Sequence, residues 1–183
     1  LTGVKCYLLV TWTRTMVRSE IEVEVNAMED IFKREYRFEV PLYQRNYSWK
    51  HDEHVPEFWG DLIRHYEINS REKYFFGTLM LVNTSQSNNL YTIIDGQQRL
   101  TTSIMLLTAF RDYFLEINDQ AEVDSLNSIL LTKSDKMPRL TLNVYNKEYF
   151  ETKILAEEKI SKKIISLKTN PSIRTKDKLL RDA

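Results

Sequence analysis

The 183 residues carry 42% hydrophobic and 11% aromatic side chains, enough for one buried core with a small appended helical piece. The 26 basic and 26 acidic side chains cancel, which excludes attraction to DNA or an acidic membrane through net charge and confines any nucleic-acid contact to a local patch. A single cysteine, Cys6, excludes an internal disulfide and a thiolate metal cluster, and fits a reducing cytoplasm, where the chain is expected to reside.

No apolar run reaches the roughly 18 residues of a membrane-spanning helix. Tyr7 to Trp12 soon meets Arg14 and Arg18, so a soluble chain with no membrane partner is expected. Residues 1–18 open on Leu1 and reach their first methionine at Met16; they are expected to be a non-native or disordered leader, with a truncated signal-peptide core as the competing reading. Ile21 to Val25 alternates apolar with acidic residues like a strand, and Asn26 followed by Glu29 has the spacing of a capping box that opens a short helix. Tyr36 to Val40 alternates again, and Pro41 ends that strand and begins the loop Leu42 to Trp49.

A helix is predicted from Asp52 to Ile68, with Phe58, Leu62, Ile63 and Tyr66 at helical spacing. His51 and His54 stand three apart at its polar start without an evident third ligand, and are not expected to form a metal pair. Tyr74 to Val82 and Leu90 to Ile94 read as two strands of a hairpin joined by the polar turn Asn83 to Asn89. After Gly96 the period changes from two to about three and a half, with Leu100, Ile104, Leu107, Phe110 or Arg111, and Phe114 on one face of a long helix. Beyond it the pattern predicts a helix over Val123 to Leu131, a strand over Arg139 to Asn143, a helix from Lys147 to Ile165, and a further helix from Ile173 to Ala183. The lysine-rich run Lys159 to Lys168 reads as a solvated helix face, with a DNA-backbone contact as the alternative. Intermixed strands and helices make the fold class α+β, a small mixed sheet flanked by helices, with the domain over 19–167 and the start of a helical C-terminal extension over 168–183.

The chemistry centres on the passage from strand to helix at Ile94-Asp95-Gly96-Gln97-Gln98-Arg99-Leu100-Thr101-Thr102. Gly96 permits backbone angles and a close approach that a side chain would block. The first amides of the following helix lack intrahelical partners and, with the helix dipole, favour an anion such as a phosphate. No acidic residue lies between Gly96 and Phe110, and Arg99 offers a planar fork of donors suited to phosphate oxygens. Asp95 has three possible tasks there: capping the helix, holding Arg99, or binding Mg2+ on a nucleotide. Gln97 and Gln98 have the donors and acceptors to orient an attacking water, and Thr101 and Thr102 offer hydroxyls in the first turn. The bland alternative is an Asp-Gly turn with an ordinary helix start.

The loop Leu42 to Trp49 is the second candidate: Tyr43, Tyr47 and Trp49 offer flat faces for stacking a base, and Gln44 and Arg45 offer edge or phosphate contacts. Its bland alternative is a set of aromatics closing the core, with Arg45 paired to Asp61 or Asp95. Gly77, in Phe75-Phe76-Gly77, lets a ligand or another backbone approach the strand, unless it only marks a bulge.

Taken together, Val40-Pro41-Leu42-Tyr43-Gln44-Arg45-Asn46-Tyr47-Ser48-Trp49, Phe75-Phe76-Gly77-Thr78 and Ile94 to Thr102 resemble the three signatures of the GmrSD-type restriction endonuclease N-terminal domain, in the same order and spacing over residues 26–183. The resemblance implies a ParB/sulfiredoxin-like fold and a nucleoside triphosphate, GTP or ATP, bound and hydrolysed with Mg2+. The family's Asp-Gly-Gln-Gln-Arg motif falls on Asp95 to Arg99, and its Tyr-Gln-Arg motif on Tyr43 to Arg45. It further implies the regulatory domain of a modification-dependent, type IV-like restriction or phage-defence system, which senses modified DNA and works with a His-Asn-His nuclease domain in the full-length protein or a separate chain. No such nuclease signature is in this sequence. A non-catalytic nucleic-acid-binding module that senses modified DNA is the alternative function.

Overall fold

Strand β4 (Tyr74–Asn83) and strand β5 (Leu90–Asp95) form the hairpin that the alternation predicts, antiparallel with Leu81 opposite Ile93. In the computed structural model, which describes residues 6–14, 21–68, 74–83, 89–169 and 175–183, the pair lies at the middle of a six-stranded mixed sheet. Most of the expected polar turn between them, residues 84–88, lies outside the described residues. The other strands are β1 (Cys6–Arg14), β2 (Ile21–Ala27), β3 (Arg37–Glu39) and β6 (Leu140–Thr141), and the order across the sheet is β2-β1-β4-β5-β3-β6. β1 is antiparallel to β2 and parallel to β4, while β3 is parallel to both β5 and β6.

Residues 6–14, expected to lie in a leader outside the domain, are therefore a strand paired on both sides. The difference has a physical source: β1 satisfies its backbone groups against β4, more than 60 residues away, and such a long-range parallel partner leaves no local trace in the sequence.

A bulge re-phases β4. Tyr7 pairs with Phe75 but Leu8 pairs with Gly77, so Phe76 is an extra residue, and Gly77 takes φ +116°. Because side chains alternate along a strand, the extra residue puts Phe76 on the same buried face as Leu79 and Leu81. β5 is covered on both faces at Tyr91, Thr92 and Ile93, as suits its place between β4 and β3.

The helices are α1 (Met28–Lys33), α2 (His54–Glu67), α3 (Gln97–Glu116), α4 (Gln120–Leu130), a three-residue α5 (Lys147–Tyr149) that widens into a π-turn over Phe150–Ile154, α6 (Ile160–Thr169), and α7 (Lys178–Asp182) after a 3-10 turn at Thr175–Asp177. Intermixed helices and strands bear out the α+β expectation. One contiguous core joins Ile31 of α1, Phe58 of α2, Leu79 and Leu81 of β4, Ile93 of β5, Leu100 and Ile104 of α3, Leu130 of α4, Phe150 and Leu180.

Three local expectations need correction. The N-cap of α1 is Ala27 without a side-chain cap, because the Asn26 amide donates to Glu24 Oε2 at 2.9 Å instead of closing a capping box. The buried face of α3 follows the expected stripe at Leu100, Ile104 and Arg111 but leaves it at Leu107 and Phe114, which are half-buried like Phe110, and takes in Thr108 and Asp112. The helix expected from Lys147 to Ile165 is broken after Ile154. There the carbonyls of Ile154 and Ala156 accept from Lys163 Nζ at 2.8 and 2.6 Å, and Ala156 O also accepts from Arg111 Nη2 at 3.1 Å. Lys163 is accordingly buried, unlike its exposed neighbours Lys159, Lys162 and Lys168 in the run expected to be solvated. Asp112 completes this buried group, bonded to Arg111 Nε at 2.9 Å and paired with Lys163 Nζ. Burial pulls the Lys163 ammonium below the usual lysine range, and Asp112 opposes that.

Candidate functional site

Where β5 turns into α3, Gly96 is the N-cap with φ 88° and ψ 4°, in the left-handed region. A Cβ there would lie 2.7 Å from the Thr78 carbonyl oxygen and 3.0 Å from Leu79 Cδ1, so glycine is what lets the turn press against β4. The first bond of the helix runs from the Leu100 amide to the Gly96 carbonyl at 3.0 Å. The amides of Gln97, Gln98 and Arg99 therefore sit at a helix start with no side-chain cap and no acidic residue in the first turn. Asp95, one residue earlier, is exposed and does not cap the helix; among the described residues it forms no ion pair with Arg99 or Arg45.

Arg99 leans across to β4. A Cβ built on Gly77 would fall 2.1 Å from its Nη1 and 2.7 Å from its Cζ, so the bulge glycine is the floor on which the guanidinium rests. From the other side the loop after β3 closes over the start of α3. Its Gln44 Nε2 donates to the Ile94 carbonyl at 2.8 Å, which ties the loop to the end of β5. Gln97 Nε2 donates to the Arg45 carbonyl at 2.9 Å. Gln98 makes two bonds, donating from Nε2 to the Asn46 carbonyl at 3.2 Å and accepting the Ser48 amide on Oε1 at 2.8 Å. Between these elements lies a polar cavity of about 250 Å³ lined by Gln44, Arg45, Trp49, Asp95, Gly96, Gln97, Gln98 and Arg99.

The Trp49 wall of the cavity is braced by aromatic packing. Its indole stacks on His54 at 6.0 Å and tilts against Phe58 at 5.6 Å, and Phe58 in turn meets Phe76 of the bulge edge-on at 5.5 Å. Among the described residues the cavity is thus lined by two arginines, one aspartate, three glutamines and the positive end of a 20-residue helix. Such a set favours an anion with several oxygens.

A family model for the GmrSD restriction endonuclease N-terminal domain matches residues 28–182. This chain belongs to that family. Among curated proteins, none matches it. The match takes in all three motif segments and every residue lining the polar cavity, and the first two strands, β1 and β2, lie ahead of it. The family makes this GmrSD N-terminal domain a component of a restriction or phage-defence system. No helix among the described residues is long and apolar enough to cross a membrane.

In this GmrSD domain the residues singled out in the sequence divide into three groups. Asp95, Gly96, Gln97, Gln98, Arg99, Gln44, Arg45 and Trp49 come together around the cavity. Gly77 stands behind it, under Arg99. Tyr47, Thr101 and Thr102 are not brought to the cavity: all three are buried. The Thr102 hydroxyl donates to the Gln98 carbonyl at 2.9 Å, and Tyr47 donates its phenol proton to Thr102 Oγ1 at 2.8 Å. Burial pushes the Tyr47 phenol up to about 12. Tyr43 is 73% exposed and stands outside the cavity lining. Asp61, considered as a partner of Arg45, pairs with Arg64 at 3.4 Å. Among the described residues no group of three His, Cys, Asp or Glu side chains is placed to hold a metal.

Sequence reasoning missed Asn143, whose buried amide reaches the same loop, and the buried group of Arg111, Asp112 and Lys163. Neither belongs to a motif, and each is defined by partners distant in the chain.

Proposed function

We propose that this GmrSD N-terminal domain binds a nucleoside triphosphate by its phosphates and hydrolyses it, and so regulates a modification-dependent restriction or phage-defence system whose nuclease is of the His-Asn-His type. The observation that carries the reading is the convergence of Arg99, Arg45 and the uncapped start of α3 on one polar cavity. At about 250 Å³ the cavity is smaller than the roughly 300–1,000 Å³ pockets that enclose whole drug-sized ligands. It therefore suits the phosphate end, with the nucleoside directed toward its mouth.

Among the described residues a single carboxylate, that of Asp95, lines the cavity. That fits Mg2+, which is usually held by one or two carboxylates together with substrate phosphates, and does not fit a cation caged by protein alone. Mg2+ arriving with the nucleotide would neutralise phosphate charge. In hydrolysis, water adds to the γ-phosphorus and the bond to the bridging β–γ oxygen breaks, releasing inorganic phosphate and the nucleoside diphosphate. Arg99 and the helix amides would stabilise the charge on the phosphoryl oxygens, and Asp95 would orient water or Mg2+. The Gln98 amide is engaged by the loop at both ends and the Gln97 amide through its Nε2, so their contribution would be to hold the cavity wall.

Phosphate release by the purified chain with GTP or ATP and Mg2+ tests the reading. Arg99→Ala and Asp95→Ala should abolish turnover while leaving the melting temperature nearly unchanged, and equal turnover in wild type and both variants would overturn it. A second reading, a non-catalytic sensor of modified DNA, is favoured by one observation: Tyr43 is 73% exposed beside Arg45 on the same loop. It expects salt-sensitive DNA binding that needs no nucleotide and is lost in Tyr43→Ala.

A further inference from the structure

Asn143 follows β6, lies outside every motif above, and is 4% exposed. Its own turn holds it: its carbonyl accepts the amides of Asn146 at 3.0 Å and Lys147 at 2.9 Å, and its Oδ1 accepts the Tyr145 amide at 3.2 Å. With the acceptor side fixed, its Nδ2 faces the loop after β3 and donates to the Gln44 carbonyl at 3.3 Å and to Asn46 Oδ1 at 3.1 Å. An amide nitrogen has two hydrogens, so both are spent on that loop.

The loop has no helix or strand over residues 45–50 and cannot hold its shape through a backbone ladder. Side-chain amides hold it instead. Gln97 and Gln98 take Arg45 O, Asn46 O and Ser48 N from the α3 side, and Asn143 takes Gln44 O and the Asn46 side chain from the β6 side. Arg45 and Trp49, which line the polar cavity, hang from the segment so clasped.

We propose that Asn143 is a positioning residue for the phosphate site: it fixes the loop so that the Arg45 guanidinium stands opposite Arg99, and it touches no ligand itself. The proposal rests on the nucleotide reading for its ligand but not for the clasp. Asn143→Asp is the sharpest probe, because it keeps the shape and replaces the two-hydrogen donor with an oxygen facing two acceptor oxygens. Exchange of the Ser48 amide, followed by NMR, should speed up by about tenfold or more, since its protection depends on the loop staying against Gln98. The KM for GTP or ATP with Mg2+ should rise by a similar factor while kcat changes less. Adding Arg45→Ala to Asn143→Asp should cost no more than Arg45→Ala alone, because both would act through one guanidinium, whereas a merely structural role would give additive losses.

Unchanged Ser48 exchange in Asn143→Asp, or additive losses in the double variant, would overturn the proposal. Faster exchange in a chain whose wild type binds neither nucleotide would sustain the clasp and sink the nucleotide reading. Should Asn143→Asp fail to fold, Asn143→Ala, which removes the amide donor without adding charge, is judged on the same measurements.

Discussion

The guanidinium of Arg99 occupies the space that a side chain on Gly77 would need, with Nη1 only 2.1 Å from the position of a Cβ. The obstacle is the far end of a flexible side chain, so Arg99 can move aside, but the φ of +116° cannot be relieved in the same way. Gly77→Ala is therefore expected to cost about 1–2 kcal/mol from the backbone and, separately, to displace Arg99 from the cavity. Nucleotide affinity should fall toward that of Arg99→Ala, and in an Arg99→Ala background Gly77→Ala should cost only stability. A Gly77→Ala chain that binds triphosphate as the wild type does would break the link between the bulge and the cavity.

Tyr47 supplies a prediction in alkaline solution. Its phenol lies in the core with a folded-state value of about 12 against 10.0 for the ordinary group. The value is raised, so the stabilising contribution is fully present below pH 10 and is lost as pH climbs toward 12, because only the unfolded chain ionises in that window. The shift corresponds to roughly 3 kcal/mol. Tyr47→Phe should be less stable than wild type by about 1 kcal/mol near neutral pH, from the lost bond to Thr102. The gap should close or reverse between pH 10 and 12, as read from urea midpoints; a gap that stays constant through that window would show the phenol to be hydrated.

Much of the fold near the site was legible because its determinants are local. The switch from period two in β5 to helical spacing in α3, hinged on Gly96, needs only neighbouring residues to be read, whereas the sequence left open whether Asp95 caps the helix. What escaped depends on distant partners. The breaks and burial around Ile154 to Lys163 follow from Asp112 and Arg111 on α3, about 50 residues earlier. Among the loop aromatics, composition alone could not separate buried Tyr47 from exposed Tyr43, since Thr102 decides the first and lies 55 residues away. The two glutamines carried the right chemistry for water or for backbone, and only the closure of the loop over α3 assigns their amides to backbone.

Asp112 sits with no exposure between two cations, and removing different members of the group should hurt unequally. Asp112→Asn leaves Arg111 and Lys163 buried together without a counter-charge, a defect of about 3–5 kcal/mol. Lys163→Met keeps the Arg111 to Asp112 pair, with Arg111 still serving the Ala156 carbonyl, and adds apolar volume near Ile154. It should cost markedly less. Urea unfolding of both variants checks the order, and a Lys163→Met chain as unstable as Asp112→Asn would mean that Lys163, not Asp112, organises the cluster.

Gln97 and Gln98 are adjacent and chemically identical, yet the loop uses them differently. Gln98 holds one donor and one acceptor of the loop, whereas among the described residues Gln97 holds only the Arg45 carbonyl and keeps a buried Oε1 without a hydrogen-bond partner. Replacing each with methionine keeps the volume and removes the polar atoms. For Gln98→Met the Asn46 carbonyl and the Ser48 amide both lose their partners, at a cost of about 2–3 kcal/mol. Gln97→Met loses one bond but also relieves the unpartnered oxygen, so the net cost should be about 1 kcal/mol or less. Denaturant midpoints for the two variants give the comparison directly. A Gln97→Met chain that proves the less stable of the two would place the main clasp on the Arg45 carbonyl, and the loop would then hinge at Asn46 rather than be held there.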